Sequence, residues 1–370
     1  MRIGLVGGGT GGHFYPLIAV ADSLQSTPKK PELLYFGPEP YDQAALIEHE
    51  IRFEFCPAGK LRRYVSVQNF FDLFRNFFGI FIAIYKLYVW YPDVIFSKGG
   101  YTSVPILLAA KFLRIPVVIH ESDAVPGRAN LLVRRYARYI AISYDDAAQF
   151  FPPEKTALTG IPLRPELTTI PTDPFATLSI PNDLPLIYIT GGSLGAERIN
   201  NLILQTLAEL LPHYRIVHQT GTAHIDQIRL AAQSLVPDQT LLERYYLQPT
   251  LPAASVSALL AAASVVVTRA GSTTLFEIAH HQKPSIVIPI PEDVSRDQRS
   301  NAYAYARTGA ASVLEEHNLT PHLLITEIHS IITDEAKTAT MKAACAQFFI
   351  PDAAPKLANI LISIGTEHGS

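Results

Sequence analysis

A chain of 370 residues is too long for one ordinary α/β core, so two domains are expected. With 48% apolar and 17% charged residues the composition excludes a disordered chain, and a formal charge of -3 gives no electrostatic reason to expect nucleic acid as a partner. Cys56 and Cys345 are the only cysteines, far apart and in no metal-ligand spacing, which argues against a disulfide framework or structural zinc and for a reducing cytoplasm.

Met1-Arg2-Ile3-Gly4-Leu5-Val6 reads as a first strand; a signal peptide would need a longer apolar stretch and a cleavage site. The strand runs into Gly7-Gly8-Gly9-Thr10-Gly11-Gly12-His13, and a helix is expected after Pro16, over Tyr15–Leu24. Further strand-length apolar runs follow at Leu33–Phe36, Val94–Phe96, Val117–Ile119, Leu186–Thr190, Val265–Thr268 and Ser285–Ile288. Many are apolar on both faces, as parallel strands covered on both sides should be. Helical segments at Pro105–Leu113, Arg198–Leu211 and Thr273–His281 alternate with them, which predicts doubly wound α/β sheets.

Between residues 61 and 91 the chain is unusually aromatic, and Phe70, Phe74, Phe77, Phe78 and Phe81 recur at helical spacing. Most of these rings, with Phe71, Tyr85, Tyr88, Trp90 and Tyr91 among them, are expected to fill the first domain's core. A smaller exposed patch beside Arg62, Arg63, Arg75 and Lys86 would rest on anionic headgroups. No stretch reaches the roughly 18 to 20 apolar residues that span a bilayer. Eight prolines from Pro152 to Pro185 mark an interdomain connection, with a fresh strand opening at Leu186. Domains are therefore expected over 1–160 and 161–342, with a last helical stretch (343–370) packing back across the junction.

Glycine turns recur at strand ends. Gly7–Gly12 follows the first strand, Lys98-Gly99-Gly100-Tyr101 the strand at Val94, and Gly191-Gly192-Ser193-Leu194-Gly195 the strand that opens the second half. Such turns let bare backbone N–H groups approach an anion at the positive end of a helix. Gly7, Gly9 and Gly12 also satisfy the dinucleotide-binding pattern G-x-G-x-x-G, with Glu39 available as a ribose-binding acid. A dehydrogenase needs one cofactor loop; three turns suit an enzyme that handles more than one phosphate-bearing ligand.

Thr10-Gly11-Gly12-His13, Lys98-Gly99-Gly100-Tyr101, His120-Glu121-Ser122-Asp123 and Pro126-Gly127-Arg128-Ala129-Asn130 resemble the N-domain motifs of the MurG family. Gly191 to Ala196, Thr268-Arg269-Ala270-Gly271-Ser272 and Asp297-Gln298-Arg299-Ser300-Asn301-Ala302 resemble its C-domain motifs, in the right order over nearly the full chain. The resemblance implies the GT-B fold, two Rossmann-like doubly wound domains facing each other across a cleft. It further implies transfer of GlcNAc from UDP-GlcNAc to undecaprenyl-linked lipid I, giving lipid II for peptidoglycan synthesis with inversion at the anomeric carbon. The enzyme would sit peripherally on the cytoplasmic face of the bacterial plasma membrane.

By the same resemblance the second domain takes the donor. Arg164 and Ser193 fall near the diphosphate, Ser272, Thr273, Thr274, Leu275 and Phe276 open a donor-binding helix, Glu277 meets the ribose hydroxyls, Gln298 meets GlcNAc, and Leu247 lines the uracil pocket. Thr10, Gly11, Gly12 and Asp123 border the donor from the first domain. Gly11, Gly12, Gly99 and Gly100 would cradle the acceptor diphosphate, with His13, Tyr101 and Asn130 beside it. An imidazole titrating near neutrality can take a proton from an attacking hydroxyl, so His13 is the candidate base. Asp123 is its rival or its orienting partner, and Glu121 a supporting acid; many members of the family carry Asn where this chain has Asp123. Leu194 stands where many members have Gln, and cannot reproduce that side chain's hydrogen bonds. No Asp-x-Asp pair stands near the donor motif, so no tightly bound cofactor is expected, and a divalent cation is left as a loose assistant. The rivals are a glycolipid synthase using diacylglycerol, a UDP-GlcNAc epimerase, a nicotinamide-dependent oxidoreductase and a catalytically dead UDP-sugar sensor.

Overall fold

The computed structural model of the chain describes residues 1–60, 67–192, 196–291 and 296–369, which form two compact units. One holds Met1–Arg164 and Ile350–Ser370, the other Pro165–Phe349.

The first unit is built on seven parallel strands: β1 (Arg2–Val6), β2 (Glu32–Gly37), β3 (Arg52–Phe55), β4 (Val94–Ser97), β5 (Val117–Glu121), β6 (Tyr139–Ile142) and β7 (Thr156–Leu158). Their order is β3-β2-β1-β4-β5-β6-β7. Every residue of β4 and β5 is buried, which is why these strands read as apolar runs; edge strand β3 is largely exposed and did not. β7 lies inside the proline-rich segment expected to be a connection, so that segment first completes the sheet and crosses to the second unit only at Pro165. Pro165 and Pro174 then open two short helices, where a missing N–H costs nothing, and Asp173 caps the second through Ala176 N at 2.9 Å.

The first helix covers Gly11–Gln25, starting ahead of Pro16 rather than after it. The expected tail helix from 343 is two helices. Glu335–Phe348 belongs to the second unit, the chain breaks around Pro351, and Ala353–Gly369 packs on helix Gly11–Gln25 and gives Leu357, Leu361 and Ile364 to the first unit's core. Gly160 (φ 77°) makes the return possible, because a Cβ there would lie 2.8 Å from Ile350 Cβ.

Helix Val67–Trp90 overturns the expectation that most of its rings are core. Phe70, Phe71, Phe74, Phe77, Phe78, Phe81, Tyr85 and Tyr88 are all exposed, from 47% to 69%, as is Tyr91 just beyond the helix. The helix buries Ala83 and Leu87 against the neighbouring helix Val104–Leu113 instead. Gly79 allows the backbone to approach the Pro57 carbonyl so closely that a Cβ would stand 2.1 Å from it. Arg62 and Arg63 lie outside the described residues. Among the described residues no helix is long and apolar enough to cross a membrane.

The second unit has six parallel strands in the order β10-β9-β8-β11-β12-β13: β8 (Leu186–Thr190), β9 (Arg215–Gln219), β10 (Tyr245–Gln248), β11 (Val265–Thr268), β12 (Ser285–Val287) and β13 (Ala311–Val313). In each unit the order reverses once, between β1 and β4 and between β8 and β11. A crevice outside the carboxyl ends of such strands is where open α/β sheets bind ligands.

Candidate active site

In the first unit, β1, β4 and β5 deliver the glycine turns and the acidic motif to that crevice. Gly99 and Gly100 hold φ of 78° and 79°, and each is tightly walled: a Cβ on Gly99 would lie 2.9 Å from Asn130 Oδ1, and one on Gly100 would lie 3.1 Å from Gly8 O. Tyr35 closes the first turn from below, its hydroxyl donating to Gly7 O at 2.7 Å. Gly11 and Gly12 open helix Gly11–Gln25, so their amides belong to its unsatisfied first turn. Tyr101 lies against Gly9.

His13 is half-buried, with Nδ1 2.8 Å from Thr10 Oγ1. Burial lowers its pKa below 6.5, and the Lys98 charge lowers it further against the opposing pull of Asp123. Lys98 is itself 2% exposed and bonds to His120 Nδ1 and to Ser122 Oγ; burial draws it down to about 7 although Glu121 and Asp123 pull the other way. His120 is a fully buried histidine whose Nε2 donates to Gly160 O at 2.8 Å, and burial holds it neutral.

Glu121 organises the turn after β5. Its carboxylate accepts from Asp123 N and Gly127 N, both at 3.0 Å, and from Asn130 Nδ2 at 2.9 Å. Burial and the Asp123 charge push it upward, while the three N–H donors oppose them. Both Glu121 and Asn130 are buried, so they position the surface of the crevice more than they form it. Asp123 is half-buried and within electrostatic reach of both His13 and Lys98.

In the second unit, a pocket of about 120 Å³ opens at the ends of β8, β9 and β11. Thr190, Gly192, Gln219, Thr274 and Glu277 supply its polar side, Val256, Leu260 and Val266 its apolar side. Gln219 Oε1 accepts from Tyr188 OH (2.8 Å) and Thr190 Oγ1 (3.2 Å), fixing the amide at the floor. Thr274 and Glu277 come from helix Ser272–His280, one turn apart on one face, and Thr273 is half-exposed at the same end. Ser272 is buried. Leu275 and Phe276, expected to contact the donor, are both fully buried, and Phe276 packs at a tilt of 52° against Phe348 with centroids 4.7 Å apart. Their side chains hold the helix rather than a ligand.

Gln298 lies on helix Arg296–Ala306, and its Oε1 accepts from Ile290 N at 3.3 Å. Leu247 lies on β10, packed against the second unit's core. Arg164 is not in the second unit: it is the last residue of the first unit's main segment, and its guanidinium stacks on Tyr15. Ser193 and Leu194 lie outside the described residues. Sequence reasoning assigned no role to Gln219, Lys98, Tyr15 or Glu316. Glu316 is buried and binds Arg269 Nη1 at 2.7 Å and Arg198 Nε at 3.1 Å, anchoring the turn after β11. Gln219 was findable, since the ends of parallel strands beside a reversal of strand order are where ligands sit.

Residues 3–142 match the glycosyltransferase family 28 N-terminal domain and residues 186–357 the family 28 C-terminal domain, so the class is a two-domain glycosyltransferase. The chain is 34% identical to the UDP-N-acetylglucosamine--N-acetylmuramyl-(pentapeptide) pyrophosphoryl-undecaprenol N-acetylglucosamine transferase of Clostridium kluyveri, over 97% of this chain and 98% of that one. It is 36% identical to transferase 2 of the same name from Bacillus cereus, over 89% and 91%. The chain therefore belongs to this family of N-acetylglucosamine transferases, the MurG family. Among solved structures, Acinetobacter baumannii MurG matches with a TM-score of 0.75 at 23% identity, covering 98% of this chain and 100% of that one. UDP-GlcNAc 2-epimerase from Neisseria meningitidis matches with a TM-score of 0.70 at 17% identity, covering 98% and 100%. Likeness at such identities speaks for the GT-B fold alone. Family membership leaves the oxidoreductase reading of the first glycine turn without support.

Proposed function

We propose that this chain transfers N-acetylglucosamine from UDP-GlcNAc to the C4 hydroxyl of the MurNAc unit of lipid I, forming lipid II. The observation that carries the reading is the pairing of full-length kinship with two separately built crevices, one in each unit, each at a reversal of strand order. The acceptor diphosphate lies on the Gly11–Gly12 and Gly99–Gly100 amides, with Tyr101 beside it. UDP-GlcNAc lies in the second unit, its ribose hydroxyls on Glu277 and its phosphates at the start of helix Ser272–His280. A carboxylate accepts two vicinal hydroxyls at once, and a helix start suits an anion. Arg164 and Ser193 meet the diphosphate, Gln298 the GlcNAc hydroxyls and Leu247 the uracil.

His13 is the base. With Nδ1–H donated to Thr10 Oγ1, Nε2 keeps the lone pair that takes the C4 hydroxyl proton. The C4 oxygen forms its bond to the anomeric carbon as the bond to the diphosphate oxygen breaks, and that electron pair leaves with UDP. Arg164 and the helix amides stabilise the departing charge. Asp123 balances the imidazolium that forms, and Glu121 and Asn130 hold the turn that carries it.

The exposed aromatic face of helix Val67–Trp90 seats the protein on the membrane that holds its lipid acceptor. Eight exposed rings along about 36 Å of helix exceed what an isolated soluble domain needs to leave in water. Such a face supports a peripheral seat on the membrane, and we take the leaflet to be the cytoplasmic one, from which a UDP-sugar is supplied.

The test is UDP release from UDP-GlcNAc with and without a short-chain lipid I analogue. Acceptor-dependent release with a disaccharide-linked product supports the reading. Release without acceptor would favour an epimerase-like hydrolysis, and release only with diacylglycerol a glycolipid synthase.

A further inference from the structure

Lys98 is the one residue of the Lys98-Gly99-Gly100-Tyr101 turn for which the proposed chemistry has no use, yet it is the most costly to bury. An ammonium at 2% exposure loses most of its hydration, and such groups persist where something requires the charge. Its Cβ lies directly beneath Gly7, where a glycine Cβ would come within 2.8 Å of it, so the side chain runs under both glycine turns. The ammonium ends on His120 Nδ1 and Ser122 Oγ. His120 donates its Nε2–H to Gly160 O, so its Nδ1 must accept, and the proton in the Lys98–His120 contact belongs to lysine. Glu121 is engaged by three N–H donors of its own turn. Glu121 and, after it, Asp123 are the carboxylates whose charge bears on this ammonium.

We propose that Lys98 is a positioning residue of the acceptor site, which fixes the His120–Ser122 end of β5 and supplies the buried positive charge against which His13 and Asp123 are set. The groups that face His13 are Lys98 from the end of β4, Asp123 and His120 from the end of β5, and Thr10 on its own turn. Burial and Lys98 disfavour a proton on His13 and hold the imidazole neutral before the reaction, while Asp123 opposes them and is the carboxylate that steadies the imidazolium afterwards.

The inference rests on His13 being the base, and its first test is independent of turnover. His13 is titrated by NMR of ring-labelled protein, its signal assigned by loss in His13→Gln, in the unaltered enzyme and in Lys98→Gln. The glutamine can still hydrogen-bond to Ser122 but carries no charge. Removing the cation should raise the His13 midpoint, and a midpoint that does not move overturns the proposal. Turnover with the lipid I analogue adds the second arm. Lys98→Gln should lower kcat about 10- to 100-fold near neutrality, shift the acid limb of kcat to higher pH and leave the UDP-GlcNAc Kd within twofold. Adding Asp123→Asn to Lys98→Gln should cost less than the product of the two single losses. Losses that multiply, or a donor affinity that falls in step with kcat, mean that Lys98 is only a packing residue. Lys98→Arg, which keeps the charge, should hold the His13 midpoint near its original value. Failure of the acceptor assignment looks different: no UDP release by the unaltered enzyme, whatever the titration shows.

Discussion

The guanidinium of Arg164 lies over the ring of Tyr15, its Cζ 4.0 Å from the ring centroid, and its Nε is buried with no hydrogen-bond partner among the described residues. Tyr15 is held in turn by its hydroxyl's bond to Asp42 Oδ2 at 3.2 Å and by edge contacts with Phe14 and Tyr41. An arginine fixed by a ring face keeps its N–H donors unspent, which suits a group awaiting an anion. Tyr15→Leu should therefore lower kcat/KM for UDP-GlcNAc by about 2- to 30-fold, the value of a cation–π contact of roughly 0.5–2 kcal/mol. Tyr15→Phe keeps the ring and should stay close to the unaltered enzyme. If Tyr15→Leu costs as much in an Arg164→Met background as alone, the ring is not acting through Arg164.

Helix Val67–Trp90 has two faces that should respond oppositely to substitution. Phe77→Glu with Phe81→Glu puts two charges on the exposed stripe, where the two rings meet at 5.0 Å and Phe77 also touches Phe78 at 5.8 Å. The double variant should lose most of its co-sedimentation with phosphatidylglycerol vesicles while melting within a degree or two of the original. Leu87→Ala on the buried face should do the reverse: vesicle binding is kept, and about 2–5 kcal/mol of stability is lost. Vesicle binding that survives the two glutamates would move the membrane contact elsewhere.

That helix also marks where the sequence ceased to be readable. The central strands were legible because burial on both faces leaves an unbroken apolar run, and the glycine turns because few residues tolerate the backbone they need. Phe70 to Tyr88 gave a clear helical period but no clue to which stripe faces inward. The partner face is made by the small residues Gly79 and Ala83 with Leu87, and the large rings that dominate any hydrophobicity argument lie outside. Edge strands β3 and β7 failed for another reason: β3 is largely exposed and carries Arg52 and Glu54, and β7 is three residues long amid the prolines at 152, 153 and 162. In the candidate site, neighbours within one motif are legible locally, but Arg164 over Tyr15 and Lys98 under Gly7 join segments about 150 and 90 positions apart, and no local pattern records them.

Acid should weaken the second unit through His218. This residue is fully buried on β9, with Nδ1 2.7 Å from Tyr245 OH and Nε2 3.0 Å from Asn200 Oδ1, a pairing that uses the neutral ring completely. Burial lowers its pKa from 6.5 to about 3. Between those values the unfolded chain binds a proton that the folded one refuses, so stability falls as pH falls through 6.5 and continues to fall toward 3. From pH 6.5 to 5 the loss is about 2 kcal/mol for this one group. Thermal unfolding followed at pH 7, 6 and 5 should show the decline, and His218→Gln should flatten it while lowering stability at pH 7. An equal slope in both proteins would place the acid sensitivity in other groups.

His13 carries the sharpest kinetic expectation. Burial and Lys98 hold its pKa below 6.5, so the base is already unprotonated at neutral pH and the acid limb of kcat should fall below pH 6.5. Replacing it with alanine removes the proton acceptor but leaves the second unit's pocket, formed by Gln219, Thr274 and Glu277, untouched. Turnover should drop at least about 100-fold and the acid limb vanish, while UDP-GlcNAc Kd stays within twofold. Thr10→Val is the finer probe. It deletes the hydroxyl that accepts from Nδ1 and frees the ring to carry its proton on Nε2, the nitrogen that must be bare. Its kcat should fall by less than that of His13→Ala, without any change in donor affinity. Should His13→Ala weaken donor binding while turnover per bound donor holds, the imidazole is a phosphate ligand, and Asp123 becomes the residue to test as the base.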